Sequence, residues 1–135
     1  MGIRAKSLVV AAAALAGSAL VSAPAHADYK TQTCIPYFTF ALGNACFDAT
    51  GDKFLLSDNR ADGMRLVVRW VAVDGSGRSG ECHDADGASN GVKVCDYNFR
   101  EGKNNYVKFQ AMTRKGANGK DQNISPALNG YITPR

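Results

Sequence analysis

Four cysteines constrain this chain more than any other feature, because all of them follow a segment with the pattern of a removable export signal. A positively charged start and an apolar run over residues 8–21, too short to span a bilayer, precede a small-x-small cleavage pattern that ends at Ala27. We therefore predict a signal peptide over residues 1–27 and a secreted, extracellular domain over residues 28–135. No further apolar span follows, so we expect a soluble protein without a membrane span.

The part of the chain after the signal suffices for one domain with a modest core. Its charge is uneven, since residues 28–91 carry six basic and nine acidic side chains, whereas residues 92–135 carry eight and three. This polarity is compatible with an acidic partner but does not require one.

An even number of cysteines in a small exported domain predicts disulfides rather than a metal or redox site. Three pairings are open from the sequence. Spacing favours Cys34 with Cys46 and Cys82 with Cys95, because each pair closes a short segment that contains turn residues. In the chain-entropy model, rings of this size contribute roughly 3 kcal/mol each.

Apolar residues recur with period two, and aromatic or β-branched residues dominate the ordered stretches, which indicates strands. We predict an all-β fold, a single small antiparallel β-sandwich of about seven strands with two disulfides. The predicted strands cover residues 37–42, 46–49, 53–57, 65–73, 92–99, 105–114 and 129–133. No helix of useful length is expected after the signal.

Two of these strands have the clearest alternation. In residues 65–73, Trp70 is the predicted core anchor, and it shares its face with Leu66, Val68 and Ala72, whereas Arg65 and Arg69 point the other way. In residues 105–114, the inward face is predicted to carry Val107, Phe109 and Ala111, and the face toward water Lys108, Gln110 and Arg114.

The connections between strands are rich in turn residues. Residues 74–80 contain three glycines and predict a mobile, exposed loop. The tripeptide Ala-Asp-Gly occurs at 61–63 and again at 85–87, and both copies predict turns.

Residues 45–115 contain a series of turn and strand motifs. In chain order they are Gly51-Asp52, Asp58, Ala61-Asp62-Gly63 before the Trp70 strand, the Cys82 to Cys95 segment and Glu101-Gly102. This series resembles a group of uncharacterised small secreted disulfide-containing β-sandwich proteins of actinomycetes. The resemblance implies a secreted β-sandwich and supplies no functional residue. Enediyne chromoprotein apoproteins and subtilisin-inhibitor-like proteins are similar in size and in disulfide number, but their motifs are not found here.

His83 is the only histidine after the signal, and we predict that it lies in an exposed loop. A serine triad would need Ser76 or Ser79 beside it, but the surrounding sequence lacks the G-x-S-x-G elbow. A zinc site would need cysteine ligands that are predicted to be oxidised. We therefore expect no catalytic residue, no metal and no cofactor, and a protein that is not an enzyme.

Several acidic residues could in principle serve as glycosidase carboxylates or as calcium ligands. Asp58 to Gly63 resembles the start of a calcium loop, but Arg60 and Arg69 occupy two of its ligand positions. The segment from Asp84 to Gly87 also lacks the closing carboxylate of such a loop, because Lys93 occupies that position. We predict solvated turn aspartates, and the sequence leaves calcium binding open. The carboxylates considered are Asp52, Asp58, Asp62, Glu81, Asp84 and Asp86.

The basic C-terminal half also contains aromatic residues, which raises the hypothesis of nucleic-acid binding. Strand alternation disfavours it, because Phe109 faces away from Lys108 and only Tyr106 shares a side with the cations. Arg78 in the Gly-rich loop resembles the reactive residue of a protease inhibitor, but a mobile loop suits tight inhibition poorly.

The sequence thus favours a secreted non-enzymatic β-sandwich that acts through surface binding to an extracellular protein or a cell-envelope component. The alternative is an inhibitor of an extracellular protease or a small secreted antimicrobial or toxin protein. Neither the partner nor the oligomeric state follows from the sequence.

Overall fold

The computed structural model describes residues 32–35 and 42–132. Within these ranges the chain forms nine β-strands and no helix. In chain order the strands are β1 Gln32–Cys34, β2 Gly43–Asp48, β3 Lys53–Asp58, β4 Arg65–Val73, β5 Ser79–Asp84, β6 Lys93–Asp96, β7 Tyr106–Arg114, β8 Asp121–Gln122 and β9 Leu128–Tyr131. The predicted signal peptide and residues 37–41 of the first predicted strand lie outside the described residues.

The strands form two antiparallel sheets around one core, which confirms the predicted all-β sandwich. The first sheet has the order β1-β2-β3-β6. The second has the order β5-β4-β7, and both β8 and β9 pair with β7, one near each of its ends. Each sheet therefore buries one face against the other, as the period-two pattern requires.

The two strands with the clearest alternation form the centre of the second sheet. β4 and β7 pair along nine residues, from Arg65 opposite Arg114 to Val73 opposite Tyr106. The predicted inward residues are all buried, and the set comprises Leu66, Val68, Trp70, Ala72, Val107, Phe109 and Ala111. The assignment of the inward faces of these two strands from sequence is confirmed.

The remaining predicted strands are found with shifted ends. Residues 46–49 correspond to β2, residues 53–57 to β3, residues 92–99 to the shorter β6 and residues 129–133 to β9. The structure also contains two short strands that were not predicted, β1 and β8. Both are too short for an alternating pattern to be visible in the sequence.

β5 was not predicted, and the expectation that residues 79–80 belong to a mobile loop is wrong. Residues 74–78 instead form a tight connection between β4 and β5, in which Asp74 accepts a hydrogen bond from the Ser76 amide at 2.8 Å. Ala72 donates to the Arg78 carbonyl at 2.8 Å, which closes the hairpin. Gly75 and Gly77 have φ angles of 78° and 68°, which favour glycine, so both glycines are explained by the geometry of the turn and not by mobility.

The third glycine of this segment, Gly80, is required by side-chain packing rather than by the turn. Gly80 lies in β5 directly opposite Trp70 in β4. A Cβ atom at Gly80 would lie 2.7 Å from the Trp70 ring. The glycine therefore makes room for the large core side chain, and it is a packing requirement that the sequence pattern does not distinguish from a loop.

Both disulfides form in the favoured pairing, and they connect different parts of the fold. Cys34 and Cys46 lie opposite each other on neighbouring strands β1 and β2, with Cα atoms 4.1 Å apart. Cys82 in β5 and Cys95 in β6 are 5.9 Å apart and join one sheet to the other. The first bond fastens an edge strand, whereas the second closes one side of the sandwich.

The core between the sheets is strongly aromatic. Trp70 is 3% exposed and packs against Tyr97 and Phe99, with ring centroids 4.8 and 5.0 Å away. Phe54 contacts Phe109 across the sandwich at 5.4 Å. Trp70 thus is the core anchor that the sequence predicted, and burial of these rings dominates the stability of the domain.

Candidate functional site

The outer face of the second sheet divides into two halves of opposite character. One half, here called the ionic cluster, consists of Arg69, Glu81, His83, Arg114 and Asp121. The other half, here called the apolar strip, consists of Val71, Val73, Tyr106 and Tyr131. Both halves are presented by the same central strands, so their side chains differ while their scaffold is shared.

Each arginine of the ionic cluster bridges both carboxylates. Arg114 donates to the two Glu81 oxygens at 2.9 Å each and to Asp121 at 2.8 Å. Arg69 donates to Glu81 at 3.2 Å and to Asp121 at 2.7 Å. The cluster joins β5, β4, β7 and β8, so four strands are connected through two pairs of charges.

Arg114 is only 6% exposed, so the prediction that it faces water with Lys108 and Gln110 is wrong. Its guanidinium reaches over its own strand and contacts the Met112 sulfur at 3.8 Å. Val67 and Met112 also point outward from the sheet, yet both are fully buried. The ionic cluster therefore acts as the cover of a small apolar layer on the outside of the sheet.

The charges of the cluster are held in their ionised forms. The hydrogen bond from Arg114 is the largest cause that lowers the pKa of Glu81 to about 2. The hydrogen bond from Arg69 is the largest cause that lowers the pKa of Asp121. Because both carboxylates and both guanidinium groups are already paired, the cluster has little net charge to offer a ligand.

His83 lies in β5 and is half-buried, so the prediction of an exposed loop histidine is wrong. Its Nε2 atom lies 2.9 Å from a Glu81 oxygen, whereas Nδ1 is buried without a hydrogen-bond partner. Ser79 is on the same strand, four residues away, a separation of about 13 Å. Ser76 is in the preceding turn, where its hydroxyl accepts from the Arg78 amide. Neither serine is in position to form a triad with His83.

A cleft of about 610 Å³ lies beside the ionic cluster and is bordered by residues 117–121. Arg114 donates to the Ala117 carbonyl at 3.0 Å and thereby fastens this connection to the sheet. The cleft contains the paired charges just described, and these charges connect residues 117–121 to the strands of the sheet.

The apolar strip is exposed. Val71, Val73 and Tyr131 are 48%, 40% and 43% exposed. Tyr106 lies opposite both Val73 and Tyr131 in the sheet, and its ring packs edge-on against that of Tyr131 with centroids 6.0 Å apart. The four side chains thus form one continuous apolar area at the end of the sheet away from the ionic cluster.

Lys108 stands within this area, since it lies opposite Val71 on β4 and opposite Asn129 on β9. It is exposed, and among the described residues its side chain forms neither an ion pair nor a hydrogen bond. Phe109 is buried and Tyr106 points outward, as the alternation predicted. The strip therefore combines apolar and aromatic side chains with one unpaired cation.

The expectation of solvated turn aspartates is wrong for three of them, Asp52, Asp58 and Asp84, which are buried. Asp52 and Asp58 are 7% and 4% exposed, and burial raises the pKa of each carboxyl. Asp52 accepts from the Phe99 amide at 3.2 Å, and Asp58 from the Arg60 amide at 2.9 Å. They fix the backbone where strands end, which a sequence pattern cannot separate from exposed Asx turns.

The other carboxylates considered from the sequence are also engaged with the backbone or exposed. Asp62 accepts from the Met64 amide at 2.9 Å. Asp84 is buried and accepts from the Asp58 amide at 3.0 Å, whereas Asp86 is exposed. Across residues 32–35 and 42–132, no group of three or more acidic, histidine or cysteine side chains is arranged to hold a metal ion.

Arg78 does not project from its hairpin in the way an inhibitory residue would. Its guanidinium donates to the Asn98 carbonyl and lies 5.5 Å from the Phe99 ring and 6.0 Å from the Trp70 ring. The side chain is thus directed along the protein surface and contributes to packing over the aromatic core.

A second cleft, of about 530 Å³, was not predicted. The two Ala-Asp-Gly copies both border this cleft, which is lined by Ala61 and Gly63 from one copy and by Ala85 and Gly87 from the other. Gly116, in the connection that follows β7, completes this wall. We call this feature the turn cleft. The repeated tripeptide was its signal in the sequence, although nothing in the sequence places the two copies together.

Comparison of the chain with protein-family models, with curated proteins and with solved structures found no match. In the described ranges, no helix has the length and apolarity needed to cross a membrane.

Proposed function

We propose that this chain is a secreted, non-enzymatic binding protein that uses the apolar strip to contact another extracellular protein. The proposal depends on one observation, the continuous exposed area of Val71, Val73, Tyr106 and Tyr131 around the unpaired Lys108.

Two features support an extracellular location. Both disulfides are formed, and such bonds persist in oxidising compartments outside the cytoplasm. Residues 1–27 have the sequence pattern of an export signal. The resemblance to small secreted actinomycete proteins agrees with this location.

The composition of the strip favours a protein as the partner. Contiguous apolar area on a small domain marks interaction sites, and tyrosine is enriched at the centres of protein interfaces. The two tyrosines meet edge to face, so they do not present two parallel rings on which a sugar chain could stack. Their packing instead leaves an uneven apolar surface suited to side chains of a partner protein.

Lys108 indicates which charge the surface of the partner should carry. The carboxylates of the ionic cluster are held by arginines, so no neighbouring acid on this face neutralises the lysine. A complementary surface would place a carboxylate within an apolar patch. A symmetric second copy fits less well, because a two-fold contact through this strip would bring two Lys108 ammonium groups together.

An inhibitory function would have to use a segment other than the Arg78 hairpin, because that guanidinium is held against Phe99 and the Asn98 carbonyl. Binding through the strip requires no such rearrangement of the hairpin.

The test compares two valines of nearly equal exposure on opposite sheets. Val71 in the strip is 48% exposed, and Val94 on the first sheet is 49% exposed. Immobilised oxidised protein is used to capture partners from culture fluid, and each captured protein is purified and titrated against the wild type, Val71→Ser and Val94→Ser. We expect Val71→Ser to weaken binding about tenfold, the effect of losing one buried apolar side chain, and Val94→Ser to leave it unchanged.

A charge exchange makes the test specific. Lys108→Glu should abolish measurable binding, and a reciprocal acid-to-lysine change in the partner should restore it. The proposal is wrong if both valine variants bind like the wild type, if the retained species is an anionic polysaccharide, or if the strip mediates self-association in sedimentation experiments.

A further inference from the structure

The turn cleft carries a second, independent inference, because its lining combines cationic side chains with open backbone. Arg60 and Arg65 are the charged side chains that border it, and no carboxylate does so. Asp62 and Asp86 are the central residues of the two tripeptides, but neither of them lines the cleft. Asp62 accepts from the Met64 amide and lies 3.9 Å from the Arg60 guanidinium in an exposed pair. The charged side chains that line the cleft are therefore all cationic.

Arg65 is half-buried, and within the described part of the chain it forms no ion pair or hydrogen bond through its side chain. In the sheet it lies directly opposite Arg114. Like charges in this position are unfavourable unless they are compensated. Arg114 is compensated by Glu81 and Asp121, whereas Arg65 is left without a carboxylate.

Two of the three glycines that line the cleft leave open space rather than pack against neighbours. A Cβ atom at Gly63 or Gly116 would meet no atom within 4 Å, although their φ angles of 73° and 71° favour glycine. The backbone is consequently accessible from the cleft. A volume of about 530 Å³ falls within the range of small-molecule sites and far exceeds what an inorganic anion fills.

We propose that the turn cleft binds a small organic oxyanion, with a carboxylate or phosphate group held by Arg65 and assisted by Arg60. A guanidinium can donate two parallel hydrogen bonds to either group, so the two chemistries share one mode of recognition. The body of the ligand would lie along the wall of alanines and glycines. This site is separate from the apolar strip, and its existence does not depend on the proposed function.

The test follows backbone amide signals of Gly63, Gly87 and Gly116 by ¹H–¹⁵N NMR while small probes are added to the oxidised protein. Phenyl phosphate and benzoate distinguish the two acid groups, benzyl alcohol provides a neutral body, and inorganic phosphate and acetate lack the body. We expect saturable shifts with at least one aromatic acid, weaker binding of the corresponding small anion, and no saturable shift with benzyl alcohol.

Variants identify the group that holds the anion. Arg65→Gln should lower the affinity for the aromatic acid at least about tenfold, as expected when charge-assisted hydrogen bonds are lost. Arg60→Gln should have a smaller effect because its side chain is 59% exposed. Lys53→Gln is the matched control, since Lys53 begins β3 and lies at the opposite end of that strand from the turn cleft.

Three results would overturn the site. Equal weakening by Lys53→Gln and Arg65→Gln would indicate non-specific attraction to a basic surface. Binding of benzyl alcohol as tight as that of benzoate would exclude recognition of the acid. Unchanged affinity in both arginine variants, with well-dispersed spectra that show folded protein, would remove the proposed role of the guanidinium groups. Arg60→Gln keeps the last comparison informative if Arg65→Gln fails to fold.

Discussion

The ionic cluster and the apolar strip occupy the same face of the same sheet, but their side chains are used in opposite ways. In the cluster, Arg114 is almost fully buried, and each of its two carboxylate partners, Glu81 and Asp121, accepts more than one hydrogen bond. In the strip, Val71 and Val73 remain exposed and Lys108 is unpaired. The half of this face whose polar side chains are fully paired is therefore structural. The half whose apolar side chains are exposed and whose lysine is unpaired is available to a partner.

The core beneath both halves sets the largest expected effect. Trp70→Ala removes the ring that packs against Tyr97 and Phe99, and it should lower the free energy of unfolding by about 3–5 kcal/mol. Urea unfolding of the oxidised protein measures this loss. A denaturation curve that overlays the wild type would contradict the central placement of Trp70.

The cluster should respond to the loss of Arg114 with the next largest effect. Arg114→Met leaves Glu81 and Asp121 with one arginine between them and uncovers Met112, at a cost of about 3 kcal/mol in unfolding free energy. Arg60→Met is the control, because its exposed ion pair should contribute less than about 0.5 kcal/mol. Equal losses in the two variants would show that the cluster is no more structural than an ordinary surface pair.

The pH dependence of stability tests the same contrast. The pKa of Glu81 is lowered from 4.5 to about 2 in the folded protein, so its stabilising contribution is complete above pH 4.5 and is lost as the pH falls toward 2. Glu81→Gln should therefore be destabilised at neutral pH, and its difference from the wild type should shrink over that interval. Urea unfolding at a series of pH values measures this difference. The raised pKa values of Asp52 and Asp58 are common to both proteins, and a difference independent of pH would contradict the pairing.

The smallest effect on stability is expected in the strip. Val73→Ser should change the unfolding free energy by no more than about 0.5 kcal/mol, since the side chain is already exposed and contributes little to the core. Its effect should instead be seen in affinity for the partner. A large loss of stability would mean that the strip packs against a part of the chain and is not a free surface.

The central strands were predictable because one face of each is apolar at three or four successive alternate positions. That face carries Leu66, Val68, Trp70 and Ala72 in β4 and Val107, Phe109 and Ala111 in β7, and all of these residues are buried. β5 was missed because Gly80 is glycine for the sake of the Trp70 ring, and a local pattern cannot register a neighbour on another strand. The favoured disulfides were correct because each of them joins two strands that are consecutive in the chain, where the cysteines are also close in sequence.

The functional surfaces depend on long-range placement, which the sequence does not contain. In the sequence, Arg114 cannot be distinguished from any other outward-facing cation. Its partner Glu81 lies 33 positions earlier and comes beside it only in the folded chain. The two Ala-Asp-Gly segments were recognisable as a repetition, but their meeting across a cleft results from the sandwich topology. The local pattern predicted to which face of its strand each side chain belongs. This was sufficient to place Tyr106 on the same side as Lys108.

The most direct test of the account is a two-component titration of the purified extracellular partner with the wild type, Lys108→Glu and Arg60→Glu. Both variants change the net charge equally, but only Lys108 stands in the strip. We expect Lys108→Glu to lose binding, Arg60→Glu to retain it, and a partner with the reciprocal acid-to-lysine change to recover affinity for Lys108→Glu. Equal binding by the two variants would contradict the assignment of the strip as the recognition surface.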